Sequence, residues 1–294
     1  MHFKNNMNIN REKKLVTVGI PSYNRPLTLS RALESVINQS YENLEIIVSD
    51  DSSPNAEVDD TIKDYCSRDS RIIYIRHKKN IGPRENHSFL VEKASGEYFM
   101  WLADDDYISK DYIEEIMKVF IKDDSYSLIG GQTFFINGSD LPIKKSPYNL
   151  LERNPKKRIL KYLDIIHHNS IYYGVFRTHN SVDYDIHCFG SDWLHVVRLA
   201  YKGKVKTLKN ISIFREAEGG ASTRNFSYFE RIKIYYDVYR NINYDLFHSN
   251  LYNELTLAEL NMLSKEIRKR FLKYLYIDGF FNKIKNKFIK TLKN

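Results

Sequence analysis

A chain of 294 residues, 42% hydrophobic, with only 12 Gly and 7 Pro, is long enough to bury a core without metal or disulfide staples, which excludes disordered, fibrous and disulfide-scaffold classes. The net charge of +8 is local: residues 265–294 carry ten Lys and Arg against two acids, so the remainder is near neutral and offers no basic groove for nucleic acid. No apolar run approaches the roughly 18–20 residues that span a bilayer, the first residues are polar, and Cys66 and Cys188 lack ligand spacing, so a reducing, cytoplasmic setting is expected.

In chain order, the β-rich run L-V-T-V-G-I (15–20) stops at Pro21 and reads as a buried strand. The periodicity of Leu29, Ala32, Leu33, Val36 and Ile37 predicts a helix over 27–38, and E-I-I-V-S (45–49) a second strand, which is the spacing of a βαβ unit. A polar helix over 57–68, a strand at 71–76, a helix over 83–94 and a strand at 97–102 continue the alternation. Four strands separated by helices predict an α/β fold with a mainly parallel, doubly wound sheet. Ligands of such sheets bind beyond the carboxyl ends of the strands, so the loops P-S-Y-N-R, D-D-S-S and A-D-D-D should share one crevice.

Further on, the pattern predicts a helix over 110–122, a strand over 127–133 and an irregular stretch to about 154. A helix over 155–167, strands over 171–177 and 205–208 and a helix over 192–201 follow. From Phe226 the pattern is helical to the end, with breaks near Tyr244 and Gly279.

Asp104, Asp105 and Asp106 directly follow a hydrophobic strand. Three adjacent carboxylates repel unless protons or a cation neutralise them, and hard Mg²⁺ or Mn²⁺ takes such oxygens together with phosphate and water. The same acids could instead form a solvated turn that suits the dipole of the next helix. Asp50 suits an Asx turn, whereas Asp51 can accept from a nucleobase N–H. Tyr23, just past the first strand, can stack on a base or serve as an ordinary loop tyrosine.

Taken together, V-T-V-G-I-P-S-Y-N-R (16–25), S-V-I-N-Q-S-Y-E-N-L-E-I-I-V-S-D-D-S-S (35–53), N-I-G-P-R-E-N (80–86) and A-S-G-E-Y-F-M-W-L-A-D-D-D (94–106) resemble family-2 glycosyltransferases of the GT-A (Rossmann-like) fold. The resemblance covers roughly residues 14–215 and is strongest over the first 125. It implies an inverting transfer from a nucleoside diphosphate sugar, with a UDP-sugar favoured, assisted by Mn²⁺ or Mg²⁺; a glycan or lipid-linked acceptor at the membrane is what the basic tail over 265–294 suggests for such an enzyme. It further implies that Tyr23 stacks on the base, Asp51 binds its N–H edge, and Pro21, Asn24 and Arg25 shape that pocket. Arg84 and Asn86 fall at donor-binding positions, although R-E-N stands here where adjacent R-N is common. The acidic motif, commonly D-x-D-D, has Ala103 in its first place; in that register Asp105 matches the metal carboxylate, with Asp106 beside it and Asp104 toward the donor, while the other register pairs Asp104 with Asp106.

C-F-G-S-D-W-L-H-V-V-R-L-A (188–200) resembles the family's acid-bearing helix start, which implies Asp192 as general base for the acceptor hydroxyl; on position alone it could be a helix cap. The segment 214–225, with paired glycines beside Arg215, could close over a diphosphate or be an ordinary loop. His167, His168, His179 and His187 lack the spacing of a zinc site. Residues 265–294 combine basic charge with Phe271, Leu272, Leu275, Phe280, Phe281 and Ile284, which suits contact with an anionic membrane or packing on protein.

The expected organisation is a GT-A catalytic domain over 1–225, with a nucleotide half near 14–125 and an acceptor half near 126–225, then a helical extension over 226–294. Two other classes use similar parts. A sugar nucleotidyltransferase should carry a Gly-rich phosphate loop after the first strand, which P-S-Y-N-R lacks. A non-catalytic nucleotide-sugar or carbohydrate-binding protein would bind without transfer.

Overall fold

The computed structural model describes residues 13–136, 142–165, 169–180, 190–216 and 227–292. Strand β1 (Val16–Ser22) is buried almost throughout, with Val16, Val18 and Ile20 facing one layer of helices. Pro26 opens α1 (Pro26–Ile37), where its missing N–H would have had no helical partner. After β2 (Leu44–Asp50), the Asn55 side chain accepts from the Glu57 N–H and caps α2 (Ala56–Arg68), which leads into β3 (Ile72–Arg76). The chain continues through α3 (Pro83–Lys93), β4 (Tyr98–Trp101), β5 (Tyr107–Ile108), α4 (Tyr112–Lys122), β6 (Tyr126–Ile136), β7 (Ile143–Lys144), β8 (Asn149–Leu150) and α5 (Pro155–Ile165). It ends with β9 (Val175–Arg177), α6 (Ser191–Lys202), β10 (Lys204–Glu216), α7 (Tyr228–His248) and α8 (Leu257–Leu292).

Among the described residues the strands form one sheet in the order β3-β2-β1-β4-β9-β6-β10-β5, with β7 on β6 and β8 on β10. Neighbours from β3 to β4 are parallel, and so are β6 and β10. β9 runs antiparallel between β4 and β6, which leaves those two in the same direction. The carboxyl ends of β1, β2, β4, β6 and β10 therefore open at one edge, which is the crevice expected from the sequence.

Apolar side chains of α1, α2 and α4 cover one face of the sheet. The opposite face is covered by α3, α5 and α6, and by Val238, Ile242, Leu246, Leu263, Ile267 and Phe271 of α7 and α8. The two long helices thus complete the same core as Leu163 and Leu194, and the core does not divide at residue 226.

Four expected elements differ. The strand predicted at 171–177 is a 3₁₀ turn (Ser170–Tyr173) followed by β9, and the one predicted at 205–208 is the long β10. The break placed near Tyr244 lies at Ser249–Thr256 instead, where Ser249 and Thr256 accept from the backbone N–H of Leu251 and Glu259. α8 runs through Gly279, since one glycine costs a helix only about 1 kcal/mol.

Gly190, at φ 83°, precedes α6 and lies so close to Val238 that an added Cβ would stand 2.3 Å from its Cγ2. Left-handed backbone costs a residue with a Cβ roughly 1–2 kcal/mol, and overpacking adds about 1–3. Gly190→Ala should therefore lose about 2–5 kcal/mol in urea unfolding; an unchanged midpoint would show that α6 and α7 do not meet this way.

Candidate active site

The loops after β1 and β2 are tied together by backbone and short side chains. Asn24 adopts φ 58° and its N–H donates to Ser53 Oγ at 2.8 Å, while the Ser53 N–H donates to Asp50 Oδ1 at 3.0 Å, so Asp50 makes the turn expected of it. The Asp51 N–H donates to Ser22 O at 2.9 Å. Its carboxylate accepts from the Ile81 N–H at 2.6 Å and the Gly82 N–H at 3.0 Å, which pins the start of α3 to the end of β2. Tyr23 is 47% exposed at this mouth, and Pro21 lies beside Ser49 in the sheet. Asn86 is buried, donates from Nδ2 to Ser49 O at 2.9 Å and leaves its Oδ1 without a hydrogen-bond partner. Arg84 is exposed on the first turn of α3.

The acidic loop joins this cluster from β4. Asp104 accepts from the Tyr23 N–H at 3.1 Å, and one nitrogen of Arg25, Nη1, donates to both Asp104 Oδ1 at 3.1 Å and Asp105 Oδ2 at 2.6 Å. Arg31 donates to the Asp105 carbonyl at 2.6 Å and to Glu216 at 3.2 Å. Asp106 turns the other way: its carboxylate accepts from Arg215 Nε and from the Glu216 N–H, both at 3.0 Å. This separation follows from β5, which begins at Tyr107 and pairs with Phe214, placing Asp106 beside Arg215. The convergent pair is thus Asp104 with Asp105, whereas Asp105 with Asp106 was expected. Burial pushes the carboxyls of Asp104 and Asp106 up to about 6, against the lowering by Tyr23 and Arg25 in one case and by Arg215 in the other.

Two carboxylates on one cationic nitrogen form an all-oxygen donor set that fits a hard divalent ion. Among the described residues no group of three or more His, Cys, Asp and Glu could hold an ion alone, so phosphate and water would have to complete its shell. His167, His168 and His187 lie outside the described residues, as does most of the 214–225 segment.

Asp192 lies in the first turn of α6, whose cap is Gly190, so it is not the cap itself. Its Oδ2 accepts from Asn169 Nδ2 at 2.7 Å. Burial raises the carboxyl, and the Asn169 hydrogen bond and Arg215 oppose that rise. Arg215 also donates to Ser170 Oγ at 3.0 Å and lies 4.5 Å from the centre of the Tyr173 ring, so one guanidinium connects the acidic loop with the turn facing Asp192. Asn169, Ser170, Tyr173 and Arg31 were not expected here. They come from distant segments, and no local pattern marks them. A cavity of about 470 Å³ lined by Asp124, Tyr126, Arg177 and Lys202 lies at the opposite, amino ends of β6 and β10.

The sequence matches Glycosyl transferase family 2 over residues 17–181. An uncharacterized glycosyltransferase of Rickettsia bellii is 39% identical over 111 residues, which are 38% of this chain and 16% of that protein. A GalNAc(5)-diNAcBac-PP-undecaprenol beta-1,3-glucosyltransferase of Campylobacter jejuni is 33% identical over 104 residues, 35% of this chain and 33% of that one. The chain thus matches only a minor part of the length of these relatives. In three dimensions it resembles S. aureus TarS 1-349 in complex with UDP-GlcNAc, with a TM-score of 0.67 at 20% identity over 90% of this chain and 74% of that one. With more than half of its length matched in this way, the chain belongs to glycosyl transferase family 2 and has the GT-A fold.

Proposed function

We propose that the chain transfers a sugar with inversion from a nucleoside diphosphate sugar, a UDP-sugar by preference, to a hydroxyl of a glycan or lipid-linked acceptor in bacterial surface polysaccharide synthesis. The convergence of Asp104 and Asp105 on one Arg25 nitrogen, at the mouth shared by the β1 and β2 loops, carries this reading. Tyr23 offers a ring for the base and Asp51 a carboxylate for its N–H edge, with Pro21, Asn24 and Arg25 as the pocket wall. Arg84 and Asn86 would border the donor from α3, where Asn86 is buried and its oxygen has no hydrogen-bond partner. Asp104 and Asp105 would hold Mn²⁺ or Mg²⁺ while Asp106 anchors the loop to β10; a bound ion supplies charge stabilisation for the leaving diphosphate. Asp192 takes the proton of the attacking hydroxyl, and a single displacement inverts the anomeric carbon.

No helix among the described residues is long and apolar enough to cross a membrane. Lys265, Arg268, Lys269 and Lys273 are exposed on α8 beside Leu272, which supports peripheral contact of 265–294 with the inner, anionic face of the cell membrane, where a lipid-linked acceptor would be found.

Thermal unfolding against UDP, GDP, CMP, dTDP and ADP, each with and without Mn²⁺, tests the donor site, because a ligand of the folded state raises the melting temperature by mass action. UDP with Mn²⁺ should stabilise the wild type and not Asp105→Ala. At pH 5 the metal-dependent increment should shrink relative to pH 7, since the Asp104 carboxyl, raised to about 6, holds a proton there that a cation must displace. No stabilisation by any nucleotide at millimolar concentration would remove the nucleotide-sugar reading.

A further inference from the structure

Among the described residues only three other than glycine have positive φ: Asn24, Ser52 and Asn169. Asn24 and Ser52 belong to the loops after β1 and β2. Asn169, at φ 38° and ψ 23°, precedes the turn that faces Asp192 and is itself buried. Backbone held in this region persists where its surroundings impose it, and such residues gather at functional sites.

The Asn169 side chain is engaged at both ends. Its carbonyl oxygen accepts from the hydroxyl of Tyr162, a fully buried residue of α5, at 2.5 Å, and its amide nitrogen donates to Asp192 Oδ2 at 2.7 Å. The tyrosine fixes which end of the amide faces the carboxylate, since only the NH₂ end can donate to an ionised acid. The next residue, Ser170, accepts from Arg215, so the same short segment aligns Asp192 and the guanidinium that pairs with Asp106.

We propose that Asn169 is the positioning residue of Asp192, anchoring one carboxylate oxygen and thereby setting the direction in which the other meets the acceptor hydroxyl. The proposal rests on Asp192 being the base. A donor to the ionised form also favours that form, so the contact opposes the rise that burial imposes on the acid. The other groups facing Asp192 are Arg215 from β10, Tyr173 from the 3₁₀ turn with Asp106 and Asp105 beyond it, Tyr162 from α5, and the N–H groups of its own helix start.

Two variants isolate the side chain. Asn169→Gly keeps the left-handed backbone and removes the amide, while Asn169→Asp keeps the shape and sets one carboxylate against another. The readout is the carboxyl titration of Asp192 by ¹³C NMR in protein labelled at aspartate, with the signal identified from Asp192→Asn. The Asp192 titration should move up by about one pH unit or more in Asn169→Gly and further in Asn169→Asp. An unmoved titration in whichever variant folds overturns the proposal. The base reading is judged separately by UDP release from UDP-glucose, UDP-galactose and UDP-N-acetylglucosamine: it fails if Asp192→Asn turns over as fast as the wild type, whatever the NMR result.

Discussion

Asp192→Asn is expected to lower kcat for sugar transfer about a thousandfold and to leave the donor KM within about threefold. A positioned general base contributes on the order of 10²–10⁴ in rate, and an amide of the same shape takes up no proton at neutral pH. The donor should bind as before, because Asp192 sits at the start of α6 and the loops proposed to hold the donor follow β1, β2 and β4. Stability should change little. The variant loses a favourable charge near a helix N-terminus, about 0.3–1 kcal/mol, and is relieved of the burial that raises the acid. Because that carboxyl is raised, wild-type kcat should climb with pH as it ionises, and the variant should lose that limb. Steady-state UDP release with a hydroxyl acceptor measures both, and a loss under tenfold would remove Asp192 from the reaction.

Arg215→Met should cost about 2–3 kcal/mol of stability at pH 8, since a single carboxyl titrating near 6 in the wild type accounts for at most about 1.4 kcal/mol per pH unit above that value, and the melting temperature should fall by roughly 3–5 °C for a chain of this size. Asp106 is only 1% exposed, and without the guanidinium its carboxylate retains the Glu216 N–H alone. The sign of the pH dependence follows from the direction of its shift. Asp106 is raised to about 6 in the folded protein, so its contribution is present at low pH and lost as pH rises through that value. Removing Arg215 raises the acid further, and the added loss falls above pH 6. The deficit should therefore be small at pH 5, where Asp106 is protonated, and full at pH 8. A deficit independent of pH would mean that packing against Tyr173 and Phe135, and not charge, holds Arg215 in place.

The first 125 residues were legible because their signals are local. Runs such as 45–49 and 71–76 fall on β2 and β3, and the three loops carrying Tyr23, Asp51 and Asp104 meet through the Tyr23 N–H on Asp104 and the Asp51 N–H on Ser22. The other half depends on contacts that one sequence does not display. β5 and β8 are two residues long and form only because β10 is there to pair with them. Asn169 reaches Asp192 across 23 residues and Asp106 reaches Arg215 across 109. Arg215 was noticed for its neighbouring glycines and read as part of either a lid or an ordinary loop, yet it lies within β10, with its guanidinium partly shielded between two aromatic rings and the Asp106 carboxylate. The helix break near Tyr244 was placed too early, because the Ser249 and Thr256 side chains that cap the flanking turns lie further along the chain.

The close approach of Gly190 to Val238 bears on how acceptor preference could be exchanged between relatives. A graft that took only the segment from β6 to β10 would bring α6 and Asp192 without the surface against which the first turn of that helix is seated. The transplantable unit includes α7 and α8, and a chimera joined after Glu216 should fail through a displaced Asp192 even where every side chain of the donor pocket is retained.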